Sequence, residues 1–540
     1  MTTTLGTAVS ATTSTAVERV LAAGPDSAAV RTVAAFLDVA AGATGRATFY
    51  NTRDEQLVLE RDAHTAMSEL DRALYAALVA GPSMTDRARQ SGALRLLSSP
   101  AEDSALDENA AVRRAVSQLT VPRMLNLYGA LAAERVNNAR VRKLILRTLL
   151  GAPALERWSV TYRRKLAVAL RHAWGARMSG VLRSVLAREL SGEPLTDKER
   201  GILAREVDRW TGGRDAAVVR ECVAFLLGAP GPYTRPGLRA YGEARTDLDA
   251  GRALPYETLE GLRGRFHREV PSARVLELTK ARLTTGQRLA VQATAERAAV
   301  EVEVDLTRYD AVRLYLYAFE RGLTADVADA LAARARQVGA GLALGGRRIA
   351  LLLDGSGSMA GSETQPLRPI AVTLALRDAF RAGADVVAEE WFGGRADASG
   401  LVHPGGATAP TEALIAALST GPDLVVVVGD GYENTPAGRF AETLDAARGL
   451  GVRTPVVHLN PVLAAETGGV RALGEAVPVA ALQRLESLEL AACRLLLEVD
   501  PEAAAGLLLR IAGVAERALP ETAADDVRTT TDEAPEEVSP

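Results

Sequence analysis

The stretch Arg347–Ser362, RRIALLLDGSGSMAGS, carries oxygen-bearing side chains at a spacing that could bind a metal ion. An apolar run ends on Asp354, and the hydroxyls of Ser356 and Ser358 follow at every second position. A loop of this kind can turn three oxygens toward one point, because the two intervening glycines permit tight backbone geometry. Hard oxygen ligands with room for water suit Mg²⁺, or Mn²⁺ or Ca²⁺, and do not suit Zn²⁺.

Beyond about Gly341 the sequence predicts the elements that would position these side chains. β-rich runs alternate with helical stretches, as in RRIALLLD, LRPIAVTLALRDAFRAGA, ADVVAEEWF, PTEALIAALSTG, PDLVVVVGD and RTPVVHLN. This alternation predicts βαβ units, a mostly parallel sheet and helices on both faces. Ligands of such sheets bind outside the carboxyl ends of the strands. Asp354 and Asp430 each end a strand, so we expect both carboxylates at the same edge.

Three segments of this region resemble the metal-ion-dependent adhesion site of von Willebrand factor A domains. DGSGSM resembles the first loop, GGATAPTEALIAAL the second and LVVVVGDGYEN the third, in the family's order over about residues 341–515. The resemblance implies a doubly wound α/β domain with a Mg²⁺ site. Its implied ligands are Asp354, Ser356, Ser358, Thr408 and Asp430, with Thr411 as the alternative to Thr408.

The sequence departs from the family's pattern at two positions near these ligands. Gly429 stands where the family often has threonine, and Ala407 is inserted where threonine more often follows two glycines directly. Neither change removes a ligand. Two other interpretations stay open: that DGSGS is only a flexible turn, and that an intact-looking site binds no metal.

Residues 16–340 show the periodicity of helices. Apolar residues recur at three- and four-residue spacing in AVRTVAAFLDVA, HTAMSELDRALYAALVA, VRKLILRTLL, YRRKLAVALRHAW and AVVRECVAFLLG. Many medium helices joined by short turns favour a stacked α-solenoid, although no strict repeat period is present. We expect disorder at residues 1–15 and in the acidic tail 521–540.

The charge of the chain is unevenly distributed. The formal net charge is −4, yet the segment Ala111–Leu190 carries 16 Lys and Arg against three Glu, a net of +13. The other 460 residues therefore carry −17. Charge segregated in this way indicates an anionic partner for the basic segment.

Parts of the helical region resemble TROVE modules, the helical-repeat rings that precede a von Willebrand A domain in Ro RNA-binding proteins. The similar segments are GATGRATFYNTRDEQL (Gly42–Leu57), YRRKLAVALRHAWG (Tyr162–Gly175) and YDAVRLYLYAFERG (Tyr309–Gly322). The resemblance implies a multidomain protein, with an all-α, HEAT-like ring or solenoid over residues 16–340 and the α/β domain after it. It also implies binding of small noncoding RNA on a basic surface and of single-stranded RNA ends in a central hole.

The basic segment supplies the guanidinium density that neutralisation of RNA phosphates requires. The predicted RNA-binding residues are Arg123, Arg135, Arg140, Arg142, Lys143, Arg163, Arg164, Lys165, Arg171, His172 and Arg177. Tyr162 and Trp174 could stack on bases, although each fits a core position better. Two alternatives stay open for the cations: a solvated helix face, or a surface for an acidic protein. The scarcity of acidic residues at i,i+4 argues against the first.

No arrangement of residues indicates an active site. The five histidines are scattered without metal-ligand spacing, no phosphate loop of the G-x-x-x-x-G-K-[ST] type is present, and neither serine of the metal loop has an evident base. The sequence therefore predicts a non-enzymatic RNA-binding scaffold. The alternatives are a metal-dependent module that captures a partner's carboxylate, as in chelatase-associated proteins, without RNA binding, and a metal-dependent nuclease.

Composition indicates where such a protein would act. Hydrophobic content of 48% and charged content of 24% are typical of soluble globular proteins, and no apolar run approaches the length of a membrane span. Two distant cysteines and the lack of a signal-peptide pattern favour a reducing, cytoplasmic location. We expect a monomer, with a protein partner at the metal site.

Overall fold

The computed structural model describes residues 13–24, 27–43, 52–99, 108–342, 344, 346–363, 365–434, 437–462, 472–482 and 484–514. Of the ends expected to be disordered, 1–12 and 521–540 lie outside these residues, whereas 13–15 belong to a helix. Residues 44–51, in the first segment that resembles TROVE modules, also lie outside them.

The chain forms two compact units. Among the described residues, the first comprises those up to 96, 108–118 and 306–514, and we call it the sheet unit. The second comprises 97–99 and 119–305, and we call it the helical unit. The N-terminal helices thus share a unit with the C-terminal part of the chain.

Three of the N-terminal helices of the sheet unit begin at a polar side chain that accepts a backbone N–H group. Thr52 and Glu55 form a capping box at the start of the third helix, so both residues satisfy backbone N–H groups there. The helices are α1 (13–22), α2 (Ala28–Gly42), α3 (Arg53–Leu70), α4 (Arg72–Ala80), α5 (Asp86–Ser98, which ends in the helical unit) and α6 (Glu108–Ser117).

The helical unit consists of helices joined by short turns, as the periodicity predicts. Its α-helices are α7 (Val121–Ala133), α8 (Ala139–Leu150), α9 (Leu155–Thr161), α10 (Arg163–Leu190), α11 (Asp197–Glu206), α12 (Ala216–Leu227), α13 (Pro236–Glu243), α14 (Tyr256–Phe266), α15 (Ser272–Thr279), α16 (Thr285–Ala290) and α17 (Gln292–Arg297). Gly175 has φ 77° and ψ 164°, so α10 is two helical segments that meet at a kink. α10 packs against α7, α8 and α12.

The C-terminal part of the chain alternates strands and helices. The elements are α18 (Ala311–Arg321), α19 (Ala325–Gly341), β1 (Arg348–Gly355), β2 (Gly361–Ser362), β3 (Gln365–Pro366), α20 (Arg368–Gly383), β4 (Asp385–Gly393), β5 (Arg395–Ala396), β6 (Val402–His403), α21 (Pro410–Ser419), β7 (Leu424–Val428), α22 (Arg439–Gly449), β8 (Val456–Asn460), β9 (Val479–Ala481), α23 (Leu488–Val499) and α24 (Pro501–Ile511).

The main sheet has the strand order β4-β1-β7-β8-β9, and every neighbouring pair is parallel. All residues of β7 are buried, as are those of β1 after Arg348, which is why these strands read as continuous apolar runs. From β1 the chain crosses first to β4 and later to β7 on the other side, so the strand order reverses between β1 and β7. The predicted order, a helical part followed by a parallel α/β sheet, is confirmed.

Polar contacts join the N-terminal helices to the last helices within the sheet unit. Arg494 on α23 donates to Asp38 on α2 at 2.8 Å. The Ser83 hydroxyl donates to Glu489, which is also on α23. Burial raises the pKa of Asp38 to about 6 despite the neighbouring guanidinium. These contacts span over 400 residues of sequence, so no local pattern predicts them. None of the described helices is long and apolar enough to cross a membrane.

Candidate metal site and nucleic-acid interface

The carboxyl ends of β1 and β7 bring Asp354 and Asp430 together. Leu353 pairs with Val428 in the parallel register. Asp354 is the second-last residue of β1 and Asp430 follows β7, at the point where the strand order reverses. Both aspartates are buried, with Asp354 only 1% exposed. Burial and, to a smaller extent, the negative charge of Asp430 raise the pKa of Asp354.

The loop after β1 holds three oxygens close together, as its spacing predicts. The backbone N–H of Ser356 donates to Oδ1 of Asp354 at 2.8 Å, and the hydroxyls of Ser356 and Ser358 lie 3.1 Å apart. Ser356 is buried and Ser358 is exposed, so the group opens toward solvent at one end. The other carboxylate oxygen of Asp354, Oδ2, is buried and has no hydrogen-bond partner.

The electrostatics of this pair fit a divalent cation. Burial is the main cause that raises the pKa of Asp354 to about 7, and the charge of Asp430 adds to it. Hydrogen bonds from Ser356 oppose the rise without cancelling it. A cation beside Oδ2 would offset both the desolvation and the repulsion, and the available donors are the hard oxygens that Mg²⁺ prefers.

Glycines allow three loops to meet around Ser356. The N–H of Gly357 donates to the carbonyl of Gly406 at 3.2 Å, and the N–H of Gly405 donates to the carbonyl of Gly355 at 2.8 Å. Gly393 has φ +73°, and a Cβ on it would lie 2.8 Å from Cα of Ser356. Larger residues would push these loops apart, which explains why small residues alternate with the polar ones.

Gly429, one of the departures from the adhesion-site pattern, also has a steric reason. A Cβ at this position would lie 2.8 Å from Cβ of Asp354 and 2.9 Å from its Oδ2. Threonine in its place would therefore contact the carboxylate directly. Glycine here places no side chain against Oδ2 on that side.

The loop after β7 is fixed by side chains that the sequence analysis does not single out. His458 on β8 donates from Nε2 to the carbonyl of Gly429 at 2.8 Å, and Asn460 donates to the carbonyl of Asp430 at 3.0 Å. Burial lowers the pKa of His458 to about 4, so the ring is neutral at pH 7. Asp430 Oδ1 accepts the backbone N–H of Tyr432 at 2.9 Å. His458 and Asn460 stand two positions apart at the end of a buried apolar strand, and this spacing is the signal that could have identified them.

The two threonine candidates have different surroundings. Thr408 is buried, and its carbonyl accepts the N–H of Asn434 in the loop that follows Asp430, at 3.2 Å. Thr411 donates its hydroxyl to Glu433 at 3.2 Å, which ties the start of α21 to that same loop. The described residues contain no group of three or more His, Cys, Asp and Glu suited to a metal, so the candidate site rests on two carboxylates and the hydroxyls beside them.

In the helical unit the predicted basic segment forms a surface of cations without acidic partners. The exposed side chains, which we call the basic face, are Arg135, Arg142, Lys143, Arg147, Arg164, Lys165, Arg171, Arg177 and Arg183. Within the described part of the chain, none of them has an acidic group at ion-pair distance. Lys165 donates to the Asn126 side chain at 2.9 Å. Arg147 and Arg183 belong to this surface although they are absent from the predicted set.

Four residues of the predicted set are half-buried instead. Arg163 lies over the rings of Phe225, 4.9 Å from the centroid, and Tyr241, 5.7 Å away. His172 donates from Nε2 to the carbonyl of Val136 at 2.8 Å, which fixes the loop between α7 and α8. Arg123 and Arg140 are the other two. Tyr162 and Trp174 are also half-buried, in keeping with core positions.

Arg135 on the basic face has an unusual backbone conformation. Its φ is +58°, in the left-handed region that favours glycine. The N–H of Arg135 donates to the carbonyl of Ala132 and the N–H of Val136 donates to that of Leu131, so the residue ends α7 in a Schellman motif. Glycine is the usual residue at this position, and arginine holds a cation there at a cost in backbone strain.

Comparisons with known proteins give a distant structural likeness. No protein-family model matches the sequence, and no curated protein matches it significantly. Among solved structures, the chain is similar to the crystal structure of the RO (RSR) protein of Deinococcus radiodurans, at 15% identity and a TM-score of 0.31. The likeness covers 80% of this chain and 100% of that one.

Proposed function

We propose that this protein is a non-enzymatic RNA-binding scaffold of the Ro type, which binds small noncoding or single-stranded RNA through its helical unit. The observation that carries the proposal is the basic face, nine exposed cations on one stretch of helices without acidic partners among the described residues. Unpaired cations at this density repel one another, and phosphates supply the missing charge.

The placement of these cations suits a phosphate backbone. On α10, Arg164, Val168 and Arg171 are exposed at i, i+4 and i+7, so they lie along one side of the first helical segment. On α8, Lys143 and Arg147 are exposed at i and i+4 in the same way. α8 and α10 pack against each other, so the two rows of cations lie on neighbouring helices.

The sheet unit adds a divalent-cation site to this proposal. Asp354, Ser356, Ser358, Thr408 and Asp430 would hold Mg²⁺, or Mn²⁺ or Ca²⁺ in its place. When bound, the ion supplies a Lewis acid that can accept an oxygen ligand from a protein partner. The chain's own part is to hold the two carboxylates in a buried position and to keep Ser358 exposed, so that a partner can reach the site.

The test is RNA binding as a function of salt, measured by fluorescence anisotropy with an RNA hairpin of about 20 base pairs. If most of the basic face contacts phosphates, log Kd changes with log salt at a slope of roughly 5 to 8. The triple variant Arg164→Glu, Lys165→Glu, Arg171→Glu removes three contacts, so we expect the slope to fall by about 3 and the affinity by more than tenfold.

A matched control carries the same change of charge in the sheet unit. Arg336, Arg439 and Arg453 are exposed there, and their replacement by glutamate alters the net charge equally. We expect this variant to bind the hairpin as the unchanged protein does. Equal losses of hairpin affinity in the two variants would mean that net charge alone causes the effect. An affinity that does not change with salt concentration would contradict the proposal.

A further inference from the structure

Phe266 is an exposed aromatic side chain in the helical unit, outside the basic face. It is 39% exposed, and every other Phe, Tyr and Trp in the described part of the chain is buried or half-buried. Leu259 and Leu262 precede it on α14 at the spacing of one helix face, and both are buried. Phe266 therefore extends an apolar stripe out of the core and into solvent.

Two arginines accompany this ring. The guanidinium carbon of Arg265 lies 5.2 Å from the ring centroid, and that of Arg245 lies 5.6 Å away. Both arginines are exposed, and neither has an ion pair among the described residues. Arg263, in the same helical turn, differs because Glu260 binds its guanidinium at 2.6 Å. The two cations beside the ring are thus available to a ligand.

A buried histidine fixes the geometry of this group. His267 follows Phe266 directly and donates from Nε2 to the carbonyl of Ala244 at 2.9 Å, and Ala244 directly precedes Arg245. The bond joins the end of α14 to the chain after α13, so Phe266 and Arg245 are held side by side. The arrangement is a structural feature of the fold and not a chance meeting of long side chains.

We propose that Phe266, Arg245 and Arg265 form a binding site for one nucleotide of single-stranded RNA, with the base stacked on the ring and the phosphates on the guanidiniums. An exposed ring offers a π-face that any base can use, and guanidiniums pair with phosphates and stack on bases. A base within a duplex is already stacked on its neighbours, so the site selects single strands. The inference rests on the proposed RNA-binding function and adds a second, separate contact to it.

The experiment compares two single-stranded probes of about 12 nucleotides that carry equal charge, oligoadenylate and an abasic ribose-phosphate oligomer. In the full-length protein, Phe266→Leu should weaken oligoadenylate binding by about tenfold and leave the abasic oligomer unchanged, because a lost stack removes the base contact only. Phe266→Trp should retain binding. Leu450→Ala, which truncates an exposed side chain in the sheet unit, is the control for surface apolar area and should leave oligoadenylate binding unchanged.

The hairpin used for the basic face separates this inference from the proposed function. If Phe266→Leu leaves oligoadenylate binding intact, or if the abasic oligomer binds as well as oligoadenylate, the stacking site is wrong while hairpin binding still stands. If neither probe nor the hairpin binds, the RNA-binding function itself fails. Crosslinking of a 4-thiouridine oligomer to the peptide that contains Phe266 would support the site directly, and crosslinks confined to α8 and α10 would count against it.

Discussion

Asp354→Asn should stabilise the metal-free protein and abolish its response to Mg²⁺. Burial and the charge of Asp430 raise the pKa of Asp354 from 3.8 to about 7. A pKa raised by about three corresponds to about 4 kcal/mol of unfolding free energy lost once the carboxylate is ionised. Asparagine has the same shape and no charge, so its oxygen can still accept the N–H of Ser356.

The sign of the pH dependence follows from the raised pKa. Below about pH 4 the carboxyl is protonated in both the folded and the unfolded state, so Asp354→Asn has no advantage there. As the pH rises to about 7 the unfolded state ionises first, and the unchanged protein loses stability relative to the variant. In EDTA at pH 8 we expect the variant to be more stable by about 2–4 kcal/mol.

Urea unfolding of the sheet unit, followed with and without Mg²⁺, measures both effects. Mg²⁺ at 100 times its dissociation constant would stabilise the unchanged protein by about 2.7 kcal/mol and the variant not at all. Ser358→Ala is the matched control, because it removes a proposed ligand that is exposed and uncharged. It should lose the Mg²⁺ response without gaining stability in EDTA. A variant Asp354→Asn that is less stable in EDTA at pH 8, or that responds fully to Mg²⁺, would refute the reasoning.

Three further predictions concern single positions. Arg135→Gly relieves the strain of a left-handed backbone conformation, so it should raise the unfolding free energy by about 1 kcal/mol. It should also weaken hairpin binding, because it removes a cation. A variant that gains stability and keeps full affinity would show that Arg135 does not contact the RNA. Gly429→Thr should lower the unfolding free energy by about 1–3 kcal/mol and weaken Mg²⁺ binding measured by calorimetry, because its Cβ would meet Asp354. Burial, together with the charges of Arg95 and Arg87, lowers the pKa of His64 to about 3. The unfolded state therefore binds the proton first, and the free energy of unfolding falls as the pH drops below about 6.5. Urea unfolding across pH should show this loss, and His64→Gln should reduce the pH dependence.

The sequence was sufficient to predict that Asp354 and Asp430 lie at one edge of the sheet, because the signal for this arrangement is local. A buried strand ending on Asp354, a second ending near Asp430 and the rule that parallel strands align their carboxyl ends are enough to bring the two together. His458 and Asn460 support the same site, yet nothing in the order of residues says which strand lies beside β7. That choice depends on sheet order, which is a property of the whole domain.

For the basic face, the sequence does not predict which individual cations are exposed. Charge density predicts that the segment is basic, but it does not separate Arg163, which stacks on Phe225, from Arg164, which is exposed. A rotation of about 100° per residue decides between the two, and the helix start fixes that rotation. No local sequence pattern predicts the pairing of Asp38 with Arg494, because it depends on contacts between the two ends of the sheet unit.

Both candidate sites follow from one physical condition, charge that the fold itself leaves unmatched. Asp354 and Asp430 are two buried acids with an unpartnered oxygen between strands, and the basic face is a row of cations without acids among the described residues. Other charged side chains are matched within the fold: Glu60 binds Arg87, Glu108 binds Arg72, and Asp208 binds Arg220. Unmatched charge costs folding free energy in proportion to its burial, so it persists where an external ligand of opposite charge completes it. By that reasoning we propose that the sheet unit binds a small cation and the helical unit a polyanion, and we expect each unit to be stabilised by its own ligand alone.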